Sequence, residues 1–184
     1  MQTNAAHFPM MTLYSLTGAR KYLTASERTR FHDALPVLEN PKERSFVEMI
    51  YWTGCRPCEA LSMRVFQILL DDYFTIIQSA KKRGKQKGNH FRPVPLPVPF
   101  TQALDAAHNI RIRQQQGFDT GNADLLWTFS RTKGWRLVNT VMKEAGIAGI
   151  HACARGLRHT MGTHGAIKQI PQTKMQSWLG HADL

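Results

Sequence analysis

The sequence predicts a mainly α domain with one small antiparallel β-sheet set into it, an α+β fold. Three observations lead there. Helix-start chemistry recurs along the chain, at Thr24-Ala-Ser-Glu27, at Asn40-Pro41-Lys42-Glu43 and again at Pro57. Two runs with strand chemistry sit near the middle, "YFTII" (Tyr73–Ile77) and "FRPVPLP" (Phe91–Pro97). At 184 residues and 42% hydrophobic content, the chain is long enough to bury one core.

Taken in order, residues 1–20 lack periodicity and read as an arm or linker, with the ordered domain over 21–184. The capping box at Thr24 predicts a helix through Arg30, Phe31 and Leu35, stopping at Pro36. A second helix starts at Pro41, carries Phe46, Val47, Met49 and Ile50 on one face, and ends at Gly54. Pro57 opens a short helix with Glu59, Leu61 and Met63. The two strand runs are joined by the basic segment "KKRGKQKGN", which predicts a hairpin with a charged tip. Prolines confine the second run to a sheet edge. Helical sequence returns over Thr101 to about Gln116, at Trp135–Glu144, around Leu157–Ile167, and from Pro171 to Gly180. "DLLWTF" is a buried apolar stretch of undefined type.

Charge narrows the function. Lys and Arg number 24 against 13 Asp and Glu, for a formal charge of +11. No acid lies between Tyr73 and Leu104, where Lys81, Lys82, Arg83, Lys85, Lys87 and Arg92 crowd together. None lies between Glu144 and Asp183, a stretch with Arg155, Arg158, Lys168 and Lys174. Two such stretches brought together would form a surface for a phosphate backbone; a merely basic, soluble protein is the plain alternative. No apolar run reaches membrane-span length, and the N-terminus lacks the pattern of a signal peptide. Three cysteines give no disulfide framework, which points to the cytoplasm.

Three motifs carry candidate chemistry. "CRPC" (Cys55–Cys58) has redox or metal spacing, but no second pair follows and a helical pattern precedes it, so packing cysteines are the simpler reading. In "TGCRPCEAL" (Thr53–Leu61), Arg56 follows a Gly turn at the mouth of a helix, where Glu59 one turn on can orient it toward a phosphate. An ordinary surface Arg–Glu pair has the same spacing. In "RGLRHTMGTHG" (Arg155–Gly165), helical spacing lets Arg155, Arg158 and His159 share a face, either around an anion or as a solvated basic face. His159 and His164 are five apart, which is wrong for a shared metal on a helix. His181 follows the last helix and alone says little.

Together these segments resemble the catalytic domain of the tyrosine recombinases, the phage-integrase family. "TGCRPCEAL" is similar to its first arginine box, "RGLRHT" to its second and "LGHADL" to its Leu-Gly-His element. A hairpin with an active-site lysine falls between the boxes in the family, where "SAKKRGKQKGNHFRPVPLP" falls here. The likeness runs from about Lys21 to Leu184. It implies that Arg56 and Arg158 clamp a scissile phosphate and that Glu59 holds Arg56. It implies that Lys82, or Lys81 beside it, protonates the leaving 5′ oxygen, with Lys85 a weaker match. His181 would donate to a non-bridging oxygen and His159 would support the fold. Lys81, Arg83, Lys85, Lys87 and Arg92 are candidates for DNA contact. No metal or other cofactor is implied; the partners are double-stranded DNA and, in the full-length protein, other recombinase protomers, with no membrane.

Two departures qualify the resemblance. Arg155 stands where the family has His or Lys, and a guanidinium cannot accept a proton. The family's tyrosine nucleophile follows the Leu-Gly-His histidine, whereas the tyrosines here are Tyr14, Tyr22, Tyr51 and Tyr73. The expectation is a catalytic domain truncated before its nucleophile, without a preceding core-binding domain, monomeric and inactive alone in DNA recombination or integration. The alternative is a non-catalytic DNA-binding remnant that regulates recombination sites. Either would act in the cytoplasm, on the nucleoid of a bacterium.

Overall fold

The computed structural model describes residues 13–79, 90–117 and 124–180. Residues 13–20, part of the expected arm, close a tight turn in which Tyr14 and Arg20 form an isolated antiparallel bridge. Arg20 docks this turn on the first helix through a 2.5 Å ion pair with Glu27.

Helix α1 spans Ala25–Asp33, and its capping box forms: Glu27 N–H donates to Thr24 Oγ1 at 3.2 Å and Thr24 N–H to Glu27 Oε2 at 2.7 Å. It ends two residues before the expected Leu35, which instead begins a 3₁₀ turn over Leu35–Val37. Pro36 is the reason, because it has no N–H to donate to His32 O and so cannot continue the α-helical ladder. Helix α2 (Pro41–Thr53) starts at the Asn40 cap, whose Oδ1 accepts from Lys42 N–H at 2.9 Å, and stops at left-handed Gly54. Its residues Phe46, Val47, Met49 and Ile50 are fully buried. This is the central helix, with the helices Val98–His108, Arg131–Glu144 and Ala154–Ile167 packed around it.

After α3 (Pro57–Leu61) the chain enters an antiparallel sheet whose three described strands lie side by side in chain order. Strand β2 is Phe74–Gln78 and β3 is Phe91–Pro95, with Ile77 opposite Arg92 and Thr75 opposite Val94. Strand β3 is an edge, as its prolines require. Strand β1 (Ile68–Leu69) has no counterpart in the sequence reading, since two residues are too short for a period-2 pattern. The pairing expected of a hairpin is present; its charged tip lies outside the described residues.

Helix α4 (Val98–His108) begins three residues earlier than expected, and a left-handed Asn109 separates it from α5 (Ile110–Gln115). "DLLWTF" forms no regular element; Leu126 N–H donates to Met63 O and Trp127 Nε1–H to Lys42 O, which seals this stretch onto the core. Helices α6 (Arg131–Glu144), α7 (Ala154–Ile167) and α8 (Gln172–Leu179) complete the fold. Among the described residues no helix is long and apolar enough to cross a membrane.

Candidate functional site

The end of α2, the start of α3, the first turns of α7 and the end of α8 meet at one place. Gly54 allows this junction. Its φ of 61° suits glycine, and a Cβ there would lie 3.0 Å from both Met161 of α7 and Leu179 of α8. Thr53 Oγ1 braces the turn by donating to Met49 O and accepting from Cys55 N–H.

Arg56 caps α3, and Pro57 at the first helical position fixes the direction of exit. Glu59 lies on the inner side with its side chain fully buried. Its Oε2 accepts from Arg56 N–H at 2.9 Å and its Oε1 from Arg56 Nη1 at 2.8 Å. Arg56 itself is 43% exposed, and among the described residues its Nε and Nη2 take no partner. One edge of the guanidinium is clasped from below while the rest faces outward.

Arg158 is held in another way. It is 8% exposed on α7; its Nη1 donates to Gly54 O at 2.9 Å and its Nη2 to Leu179 O. Burial draws its pKa down to about 10, helped by the nearby charges of Arg56 and Arg92 and opposed by Glu59. It therefore keeps its charge at neutral pH. Among the described residues, the guanidiniums of Arg56 and Arg92 bind the Glu59 carboxylate and that of Arg158 lies within its electrostatic reach, a surplus of two positive charges.

The sequence-predicted residues are distributed unequally. Arg155 is exposed, whereas Arg158 and His159, three and four residues on, are buried, so the three do not share one accessible face. Burial lowers the His159 pKa, with Lys21, Arg155 and Arg158 adding to the effect, and leaves the ring neutral at pH 7. Lys81, Lys82, Arg83, Lys85, Lys87 and His181 lie outside the described residues.

Arg92 requires a correction. Expected among the DNA-contacting cations, it is 5% exposed and bound inward: Nη2 to Glu59 Oε2 at 2.6 Å, Nη1 to Ser79 Oγ at 2.7 Å and Nε to Trp178 O at 2.8 Å. The cause is strand parity. Arg92 and Val94 alternate with the exposed Phe91 and Pro93, so the pleat that buries the valine buries the arginine. That signal was present in "FRPVPLP". The carbonyls of Gly54, Trp178 and Leu179 are the site groups that residue motifs missed, because main-chain acceptors leave no trace in side-chain identity.

Cys55 is built into the structure as a packing residue. It is buried and its thiol is pushed up to about 12, away from thiolate chemistry. Among the described residues no three His, Cys, Asp or Glu side chains converge as a metal site would need.

This chain is similar to tyrosine recombinase XerA of Pyrococcus furiosus, 28% identical over an alignment of 174 residues, with 89% of this chain and 54% of the relative covered. It is 31% identical to tyrosine recombinase XerD of Mycobacterium tuberculosis over an alignment of 150 residues, with 78% of this chain and 45% of the relative covered. The chain thus spans about half the length of the curated relatives it matches. Its fold is similar to that of XerH recombinase in a pre-cleavage complex with difH substrate, with a TM-score of 0.71 and 19% identity over 92% of this chain and 53% of that one. It is also similar to the catalytic domain of bacteriophage HP1 integrase, with a TM-score of 0.61 and 17% identity over 88% of this chain and 81% of that one. The phage integrase family model matches residues 21–184, an interval that contains both arginine boxes and every element from α1 to α8. The chain belongs to the phage integrase family.

Proposed function

We propose that residues 21–184, preceded by the arm 1–20, are the phosphate-clamping catalytic domain of a site-specific DNA recombinase, acting on duplex DNA with other protomers in the cytoplasm, at the nucleoid of a bacterium. The observation that carries this reading is the cation surplus around Glu59, with Arg56 turned outward and Arg158 charged although buried. Buried like charges are costly without an anion between them, and a phosphodiester supplies one.

In this reading Arg56 and Arg158 bind the non-bridging oxygens and stabilise charge that develops during phosphoryl transfer. Glu59 orients Arg56, Arg155 adds a cation at the rim, and His159 supports α7. Lys82, with Lys81 as its nearest substitute, protonates the departing 5′ oxygen; His181 donates to the phosphate; Arg83, Lys85 and Lys87 hold the DNA backbone. The nucleophilic tyrosine comes from outside these 184 residues, because Tyr14, Tyr22, Tyr51 and Tyr73 all precede the lysine segment.

Anisotropy of a labelled duplex tests the clamp. Affinity falls steeply with salt, and Arg56→Ala and Arg158→Ala each lower the slope of log K against log salt by about one. A chain that fails to bind DNA at low salt overturns the proposal. On a nicked suicide duplex the 184-residue chain forms no covalent adduct. The tyrosine positions also favour a second reading, a DNA-binding regulator without turnover. A supplied tyrosine segment, fused or added in trans, separates the two: cleavage supports the recombinase, and binding without cleavage supports the regulator.

A further inference from the structure

Arg92 has each of its three guanidinium nitrogens bound to a different element: Glu59 of α3, Ser79 at the end of β2, and the Trp178 carbonyl in α8. Gly180 lies against the same group. A Cβ at that residue would stand 3.0 Å from Arg92 Nη1 and 3.1 Å from its Cζ, and the φ of 62° there already favours glycine. The end of α8 is thus shaped around this guanidinium.

Among the described residues, Arg56 and Arg92 both bind the Glu59 carboxylate. Oε1 serves Arg56 Nη1, while Oε2 serves the Arg56 amide and Arg92 Nη2. A fully buried carboxylate needs its lone pairs filled from fixed directions, and Arg92, itself buried, is the rigid donor. Arg56 is the half-exposed one. Any rotation of the carboxylate away from Arg92 carries Oε1 away from Arg56 as well.

We propose that Arg92 is a positioning residue. It sets the orientation of Arg56 through Glu59 and locks the ends of β2 and α8 to the same carboxylate, without touching DNA. This rests on the reading of Arg56 as a phosphate ligand. A planar fork with three fixed directions is required, so lysine, which keeps only the charge, does not replace it.

The test uses the 184-residue chain and its Arg92→Lys, Arg56→Ala and double variants, with duplex anisotropy below the melting range and a melting curve for each. Arg92→Lys weakens DNA binding about tenfold, the scale of one lost charge-assisted hydrogen bond, and adds nothing further in the Arg56→Ala background. Additive losses in the double variant would mean that Arg92 meets phosphate directly, and would overturn the proposal. A lower melting point with unchanged binding would make Arg92 merely structural and overturn it equally. The Arg56 Nε–H resonance of the DNA-free protein gives a readout that does not depend on the function. It shifts in Arg92→Lys if Arg92 positions Arg56, and an unmoved resonance refutes the coupling. If Arg56→Ala leaves DNA binding intact, the phosphate reading fails, while the resonance still decides whether Arg92 sets Arg56.

Discussion

Arg56 and Arg158 are assigned the same task but are built into the molecule in opposite ways. Arg56 is half-exposed at a helix start and gripped by one buried carboxylate. Arg158 is buried in a helix and gripped by two carbonyls, those of Gly54 and Leu179. A carboxylate neutralises what it holds, whereas carbonyls orient a cation and leave its charge intact. The first arrangement makes a movable arm with a fixed shoulder; the second makes a charged strut that also joins α2, α7 and α8. Loss of Arg158 therefore affects folding and binding together, and loss of Arg56 affects mainly binding. Four outcomes would break or sharpen that contrast.

The largest concerns the residue that serves one side of it. Glu59→Gln keeps the shape but leaves Arg92 buried without a counter-charge, and breaking a buried pair costs about 3–5 kcal/mol. Urea unfolding measures this. Added sulfate should restore part of the loss by occupying the cation surplus, and a variant as stable as the parent would remove Glu59 from the centre of the site.

Next is Arg158→Ala. The Gly54 and Leu179 carbonyls lose their donors and a gap opens between three helices, for a loss of about 3 kcal/mol. Relief of the cost of burying a cation opposes this, so the net value by chemical denaturation reports which effect wins. A stabilised variant would mean that the site is strained for its ligand rather than braced by Arg158.

Much of this architecture was legible in the sequence, and the exceptions share a cause. The caps at Thr24 and Asn40 and the stop at Gly54 were readable because each is a local bond between a side chain and its own backbone. Helix α7 starts at Ala154 behind Cys153, which makes no side-chain cap, so the sequence pattern predicts it only from around Leu157. Helix α6 starts at Arg131, four residues before the expected Trp135, where Ser130 caps without an acidic partner. The arginine boxes were visible as motifs. The bonds that give them function, from Arg158 to Gly54 and from Arg92 to Glu59, span 104 and 33 residues and depend on tertiary contact.

A smaller effect tests whether burial or starting chemistry decides a group's charge. His108, 3% exposed in α4, hydrogen-bonds Ser45 Oγ at 2.9 Å and is drawn down to about 4, mainly by burial. Burial moves Arg158 by a comparable amount, yet it stays charged at pH 7 while His108 is neutral. The unfolded histidine takes up a proton near its ordinary value, and the folded one resists until about pH 4. Stability is therefore complete above the unfolded value and declines between about pH 6.5 and 4, by about 2–3 kcal/mol. The urea midpoint against pH shows this slope, and His108→Gln flattens it. An unchanged slope would assign the acid sensitivity elsewhere.

The smallest change in stability is expected at Arg56, and it decides the contrast. Arg56→Ala bares Oε1 of the buried Glu59 carboxylate, but the half-exposed side chain it removes opens that oxygen to water, which holds the loss to about 1 kcal/mol. Glu59 keeps Arg92 Nη2 and the residue-56 amide, both independent of the lost side chain. The melting point should therefore fall by only about 2–4 °C while DNA affinity falls about tenfold, the scale of one charge-assisted bond to phosphate. Comparable losses in melting point for Arg56→Ala and Arg158→Ala would show that both arginines are structural struts. A loss of binding in one variant with stability largely kept, beside a loss of both in the other, is the pattern that a clamp with one movable and one fixed jaw requires.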